Sequence, residues 1–186
     1  MRKNIKAMMR LFMLIIAAVL VYRVYVIPKI LYPTKYIEYV DKYSAEYNLD
    51  KTVVFAVIKA ESGFNENNRS KTGARGLMQI MPETGEWAAG IIEIESYSDD
   101  MLYDPDMNIR IGCWYMRYLL DMYDDNLSTA LAAYNAGCGT VNKWLKDEKY
   151  SLDGETLDNV PYAETDGYVF KTLKYNDAYN RYHKEL

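Results

Sequence analysis

A lone carboxylate at the end of an apolar helix is the first chemistry this chain suggests. Over residues 51–61, Val54, Val57, Ile58 and Glu61 recur at i, i+3, i+4 and i+7, the spacing of one helical face, with Asp50 placed as N-cap. Glu61 therefore points where the apolar stripe points. Ser62, Gly63 and Asn65 end the helix, so Glu61 also falls in its last turn, where the helix dipole disfavours a negative charge by roughly 0.3–1 kcal/mol. Partial burial and the dipole both favour the protonated form, which a general acid working near neutral pH requires. The loop that follows, 63–76, is polar and carries Asn65, Asn67, Asn68, Ser70, Gly73 and Gly76. It returns the chain to an apolar stretch, GLMQIMP, with a single amide, Gln79, inside it.

The elements that must position this carboxylate read as helices. Tyr36, Tyr39, Val40, Tyr43 and Tyr47 have helical spacing, and Pro82 suits the first position of a short helix reaching about residue 89, before Gly90. Residues 91–107 are irregular. Helices are expected over 108–123 and 128–135, joined by the turn Asp124, Asp125, Asn126, and such short connections make antiparallel neighbours. A further helix over 141–146 and a last one over 165–182 complete an all-α domain. Residues 147–160 are charged and aperiodic, a surface excursion. Cys113 and Cys138 lie nearly level across the expected hairpin, so a disulfide between them is the expectation in an oxidising compartment.

Composition narrows the function classes. The 186 residues carry a net charge of −4, and half of them are apolar or aromatic, ample for one domain with a short appendage. Residues 1–35 hold seven basic residues and no acid, leaving 15 basic against 26 acidic residues, −11, in 36–186. That balance argues against nucleic acid as a partner, which wants clustered basic charge. Asp99, Asp100, Asp104 and Asp106 lack the spaced ligands and central glycine of a calcium loop, so no metal is expected. His183 is the only histidine and sits at the frayed end of the last helix, which removes a histidine triad or a zinc site.

Arg2, Lys3, Lys6 and Arg10 precede an apolar run over 11–22; counted through Arg23 to residue 27, before Pro28, it gives about 17 residues, the lower limit for a membrane span. No small-residue cleavage site follows it, so an uncleaved signal anchor is favoured over a cleaved signal peptide and a secreted domain. The basic bias places the N-terminus in the cytoplasm. The organisation expected is a basic tail and single-pass membrane helix over 1–35, then an extracytoplasmic domain over 36–186.

ESGF from Glu61, then SKTGARGLMQIMP, then AAYNAG over 132–137, then PYAET-x-x-YV over 161–169, resemble in order and spacing the motifs of the soluble lytic transglycosylase family, relatives of goose-type lysozyme. The resemblance covers about residues 36–182 and implies a lysozyme-like helical fold acting on peptidoglycan glycan strands without a cofactor. It implies that Glu61 is the catalytic acid and then base. Ser70, Gln79 and Met81 match positions lining the sugar groove; Tyr134 matches a tyrosine close to the carboxylate, Asn135 its neighbour, and Glu164 an acid facing the cleft. Glu66, Asn68, Cys138 and Asp166 depart from the usual pattern; Asp166 exchanges a cation for an anion near the groove.

Glycosidic cleavage ordinarily takes two carboxyl groups, and these motifs supply one. The resemblance implies that the substrate supplies the rest, through its N-acetyl group and its C6 hydroxyl, giving a 1,6-anhydro sugar. Two other readings remain open from sequence: a hydrolytic muramidase in which Asp99, Asp100 or Asp104 positions water, and a catalytically weak wall-binding scaffold of an envelope machine.

Overall fold

The computed structural model describes residues 2–186. Its N-terminal helix, α1 (Arg2–Val21), continues through wider π-type turns over Tyr22–Leu31. The expected stop at Pro28 is therefore passed, because widened turns accommodate a residue that has no N–H to donate. Within it Met8–Leu31 is 24 residues long, apolar enough to cross a membrane, and unburied.

The domain that follows is built around α3 (Lys51–Glu61), which starts and stops where its sequence signals place it. Seven consecutive residues, Thr52 to Ile58, are buried, so α3 is enclosed on all sides rather than on the single stripe its spacing suggests. Asp50 occupies the N-cap position with extended backbone, but its side chain makes no capping bond. Around α3 pack α2 (Ile37–Glu46) and α8 (Ala163–Tyr182); α6 (Leu127–Ala136) lies on α8, and α5 (Pro105–Met122) on α2 and α6. The remaining pieces, α4 (Pro82–Ile91) against α5 and α7 (Cys138–Trp144) against α6, close the bundle. Among the described residues eight α-helices and no β-strand form, the all-α class expected.

The ends of α5 and α6 are set by side chains. Asp104 and Asn126 cap them by accepting the N–H of Met107 at 3.0 Å and of Thr129 at 2.9 Å. A short 3-10 turn, Asp99–Tyr103, gives structure to the stretch expected to be irregular. The domain also grips the segment leading from α1. The Tyr179 hydroxyl donates to the Pro33 carbonyl (2.9 Å), and the Tyr32 ring packs among Tyr175, Tyr179 and Tyr182. His183, expected at a frayed end, is instead buried, with Nε2 at 2.8 Å from the Tyr32 carbonyl and 3.2 Å from that of Pro28.

The expected disulfide is corrected: Cys113 and Cys138 are free thiols. Being level along a hairpin fixes height but not azimuth, and a bond needs both Cβ vectors to converge. Cys113 faces inward from α5 into the core, whereas Cys138 sits half-buried at the start of α7, past the glycine turn at Gly137.

Candidate active site

The loop after α3 is held by a small set of polar bonds. The Ser62 hydroxyl donates to the Ile58 carbonyl (3.2 Å) and accepts the Phe64 N–H (3.1 Å), closing the helix end just beyond Glu61. Antiparallel bridges pair Arg75 with Arg69 and with Ile80, folding the loop back on itself. Buried Asn108 on α5 fastens it from below: its Oδ1 accepts the Met78 N–H (2.8 Å), and its Nδ2 donates to the carbonyls of Leu102 (2.7 Å) and Arg75 (3.0 Å). Gly76 lies directly over this amide with φ +76°, where a Cβ would come within 2.1 Å of the Leu102 carbonyl oxygen. Two side-chain-bearing residues also adopt left-handed backbone here, Phe64 at φ +69° and Gln79 at φ +50°. Such strain persists only where surroundings over-determine it, and both flank the Glu61 region.

Glu61 ends α3 half-buried, its carboxyl group facing α8 and α6. Burial raises its pKa from the ordinary 4.5 to about 7, opposed by the Tyr168 hydroxyl and then by the Lys171 ammonium, both of which favour the carboxylate. Lys171 is fixed by donating to the Ala60 carbonyl at 3.1 Å, one of the acceptors a helix end leaves free. The Tyr168 hydroxyl is buried and close enough to influence Glu61, yet it lacks a partner at ordinary hydrogen-bond geometry. Tyr134 brings a second hydroxyl to the same carboxyl, but this one donates to the Met78 carbonyl at 2.8 Å. Burial and the Glu61 charge raise the pKa of both tyrosines, so each stays a neutral O–H.

The transglycosylase SLT domain family matches residues 38–156, well over half of the chain. The chain belongs to that family. It is 36% identical over 153 residues to the soluble lytic murein transglycosylase of Escherichia coli K12, an alignment covering 81% of this chain and 24% of that protein. It is 29% identical over 175 residues to the membrane-bound lytic murein transglycosylase C of Edwardsiella ictaluri, covering 79% of this chain and 47% of that one. Among solved structures, an inactive mutant of the lytic transglycosylase Slt from Pseudomonas aeruginosa superposes with a TM-score of 0.73 at 31% identity, covering 83% of this chain and 25% of its own. The 70 kDa soluble lytic transglycosylase of Escherichia coli gives 0.72 at 32% identity, covering 81% and 25%. The chain thus spans about a quarter of the length of these soluble relatives.

Within this SLT domain the residues expected from sequence separate into groups. Glu61 and Tyr134 come together directly, and Tyr134 ties in the loop that carries Gln79 and Met81. The Gln79 amide donates to the carbonyls of Gly76 (2.9 Å) and Asn68 (3.1 Å), which fastens the side chain to its own loop. Met81 is half-buried at the N-cap of α4. Ser70 is engaged in the loop, its hydroxyl accepting the Ala74 N–H (2.9 Å) and pairing with Thr72 (2.8 Å). Asn135 is exposed beside Tyr134, and Glu164 is exposed in the first turn of α8, one turn before Tyr168 on the same helical face. Tyr168 and Lys171 were missed as functional residues. The signal for Tyr168 is present in the PYAET-x-x-YV motif, where it stands beside the apolar Val169.

Proposed function

We propose that the chain is a membrane-anchored peptidoglycan lytic transglycosylase that cleaves the β-1,4 bond between N-acetylmuramic acid and N-acetylglucosamine without consuming water. The observation that carries the reading is a single carboxyl, Glu61, whose pKa burial raises to about 7 so that acid and carboxylate forms are both populated near neutral pH, beside a buried hydroxyl without a partner. In the first step Glu61 gives its proton to the glycosidic oxygen as the C1–O bond breaks. The N-acetyl group of the muramic acid stabilises the cationic centre. In the second step the Glu61 carboxylate takes the proton from the C6 hydroxyl of that sugar while O6 bonds to C1, regenerating the acid and leaving a 1,6-anhydro ring. An intramolecular hydroxyl reacts at high effective molarity, which lets it outrun water. Tyr168 and Lys171, which favour the carboxylate form, assist the intermediate between the two steps.

A hydrolytic muramidase would need a second acid to position water, and none of the three aspartates considered for it is among the groups that act on the Glu61 carboxyl. Asp99 and Asp100 pair with Arg75 at 3.3 and 3.4 Å, and Asp104 caps α5. The names of the relatives support a lyase on murein, and the inactive Pseudomonas mutant, in which a glutamate is replaced by glutamine, supports dependence on one carboxyl. Residues 8–31 support the anchor, residues 1–35 forming the basic tail and membrane helix, whose last residues dock on the domain through Pro28, Tyr32 and Pro33, and 36–186 the extracytoplasmic catalytic domain.

The test is mass spectrometry of muropeptides released from purified peptidoglycan, with Glu61→Gln alongside. Products about 18 Da lighter than hydrolysed muropeptides, absent with the mutant, are the expected result. Hydrated reducing ends would move the assignment to muramidase, and no release by a folded, wall-binding protein would make it a scaffold.

A further inference from the structure

Outward from Tyr134 the aromatic rings continue. Tyr115 on α5 packs against Tyr134 at 5.4 Å and lies nearly parallel to Tyr118 at 6.4 Å (12°), which in turn stacks with Trp114 at 5.8 Å (19°). Across these rings stands Trp87 of α4, edge-on to Trp114 at 4.8 Å and to Tyr118 at 4.9 Å. Tyr115 is edge-on to it as well, at 6.4 Å, so the indole is anchored by three rings on α5 and still 42% exposed.

The run connects the reacting centre to the middle of α4. Met81, expected to line the groove, is the N-cap of that helix, and Trp87 lies six residues on, about 9 Å along the axis. Glu83 and Trp87 share one face of α4 at i, i+4, so an exposed carboxylate able to accept from hydroxyls or amides stands beside the ring. A strongly acidic body repels an anionic polymer, so its attraction to a glycan has to come from uncharged contacts. Aromatic faces meeting the apolar C–H faces of sugars supply such contacts.

We infer that Trp87, Trp114 and Tyr118 form a distal saccharide-binding platform for β-1,4-linked N-acetylated amino sugars, holding the glycan strand beyond the units that react at Glu61. The inference rests on the glycan reading above. It makes this site longer than a single reacting bond requires, and it predicts that binding strengthens with chain length.

The experiment is calorimetric titration of the full chain, carrying Glu61→Gln to stop turnover and reconstituted in nanodiscs, with chitobiose, chitotetraose and chitohexaose. Affinity is expected to rise with length, and adding Trp87→Ala should remove about tenfold of the rise while leaving chitobiose within twofold. Trp87→Tyr, which keeps a ring, should retain most of it. If Trp87→Ala loosens the α4–α5 contact in a thermal melt, Trp87→Leu preserves apolar packing, removes the ring face and carries the same test. Length-dependent binding indifferent to Trp87, or equal weakening of every oligomer by a folded variant, overturns the platform alone. No binding of any oligomer by the folded Glu61→Gln chain overturns the glycan reading and the platform with it.

Discussion

The hydroxyl of Tyr134 donates to the main-chain carbonyl of Met78 at 2.8 Å, joining α6 to the loop that carries Gln79 and Met81. With its proton committed there, Tyr134 holds the loop beside Glu61. Tyr134→Phe keeps the ring contact with Tyr115 and leaves a buried carbonyl unmatched. We expect a loss of about 1–2 kcal/mol in stability and a rise in KM exceeding the fall in kcat, since groove contacts loosen more than the proton donor. Unfolding and steady-state assays on solubilised peptidoglycan fragments decide it. A collapse of kcat at unchanged KM would instead place the hydroxyl in the transition state.

Glu61 carries a stability cost that follows from its pKa. The native carboxyl is raised to about 7 from an ordinary 4.5, so between those values the folded state holds more protons than the unfolded one. Stability therefore falls as pH rises through that window, levelling at a cost of about 3 kcal/mol above it. Glutamine mimics the protonated form and escapes the cost. Glu61→Gln in detergent should melt higher than the parent at pH 8, by roughly 6–12 °C, and level with it at pH 4. A gap that is constant with pH would separate the effect from ionisation.

How far the sequence carried these conclusions depended on range. α3 was legible to the residue because its start, its apolar content and its stop are all local, and Glu61 was found through its place in that helix. The groups that finish the site arrive from far along the chain. Tyr168 is separated from Glu61 by more than a hundred residues, and no periodicity tells a packed tyrosine from one facing a carboxyl group. Asn108 reads as a helix N-terminal asparagine until the loop 30 residues earlier is seen resting on it. The cysteines show the reverse error, since spacing gave their level on a hairpin but not the direction in which each side chain points.

Asn108 makes the loop depend on one fully buried amide, which holds it by three bonds. Asn108→Ala strands the Met78 N–H and two carbonyls, and should cost about 3–5 kcal/mol. Gly76→Ala should be comparably severe, because its backbone is left-handed and its new methyl would strike the Leu102 carbonyl and the Asn108 amide. Thermal denaturation measures both. Gly63→Ala serves as a control, with positive φ but open space around it, and should cost only about 1 kcal/mol.

The last prediction concerns the pH limb of catalysis. If the free enzyme must present protonated Glu61, kcat/KM is level below about pH 7 and falls above it. Tyr168 and Lys171 both favour the carboxylate, so removing either raises the Glu61 pKa and carries the fall to higher pH. Tyr168→Phe should move it further than Lys171→Met, the hydroxyl being the larger of the two influences. The variants should differ in another respect. Lys171 also caps α3 through the Ala60 carbonyl, so Lys171→Met should lose about 0.5–1 kcal/mol of stability as well. Both should lower the plateau rate by about tenfold, because the group that stabilises the carboxylate between its acid and base steps has been taken away. Rate profiles from pH 5 to about 9 are the measurement. A limb that stays in place in Tyr168→Phe would mean that the hydroxyl does not act on Glu61, and a limb that moves down would reverse the sign of the electrostatics argued for this site.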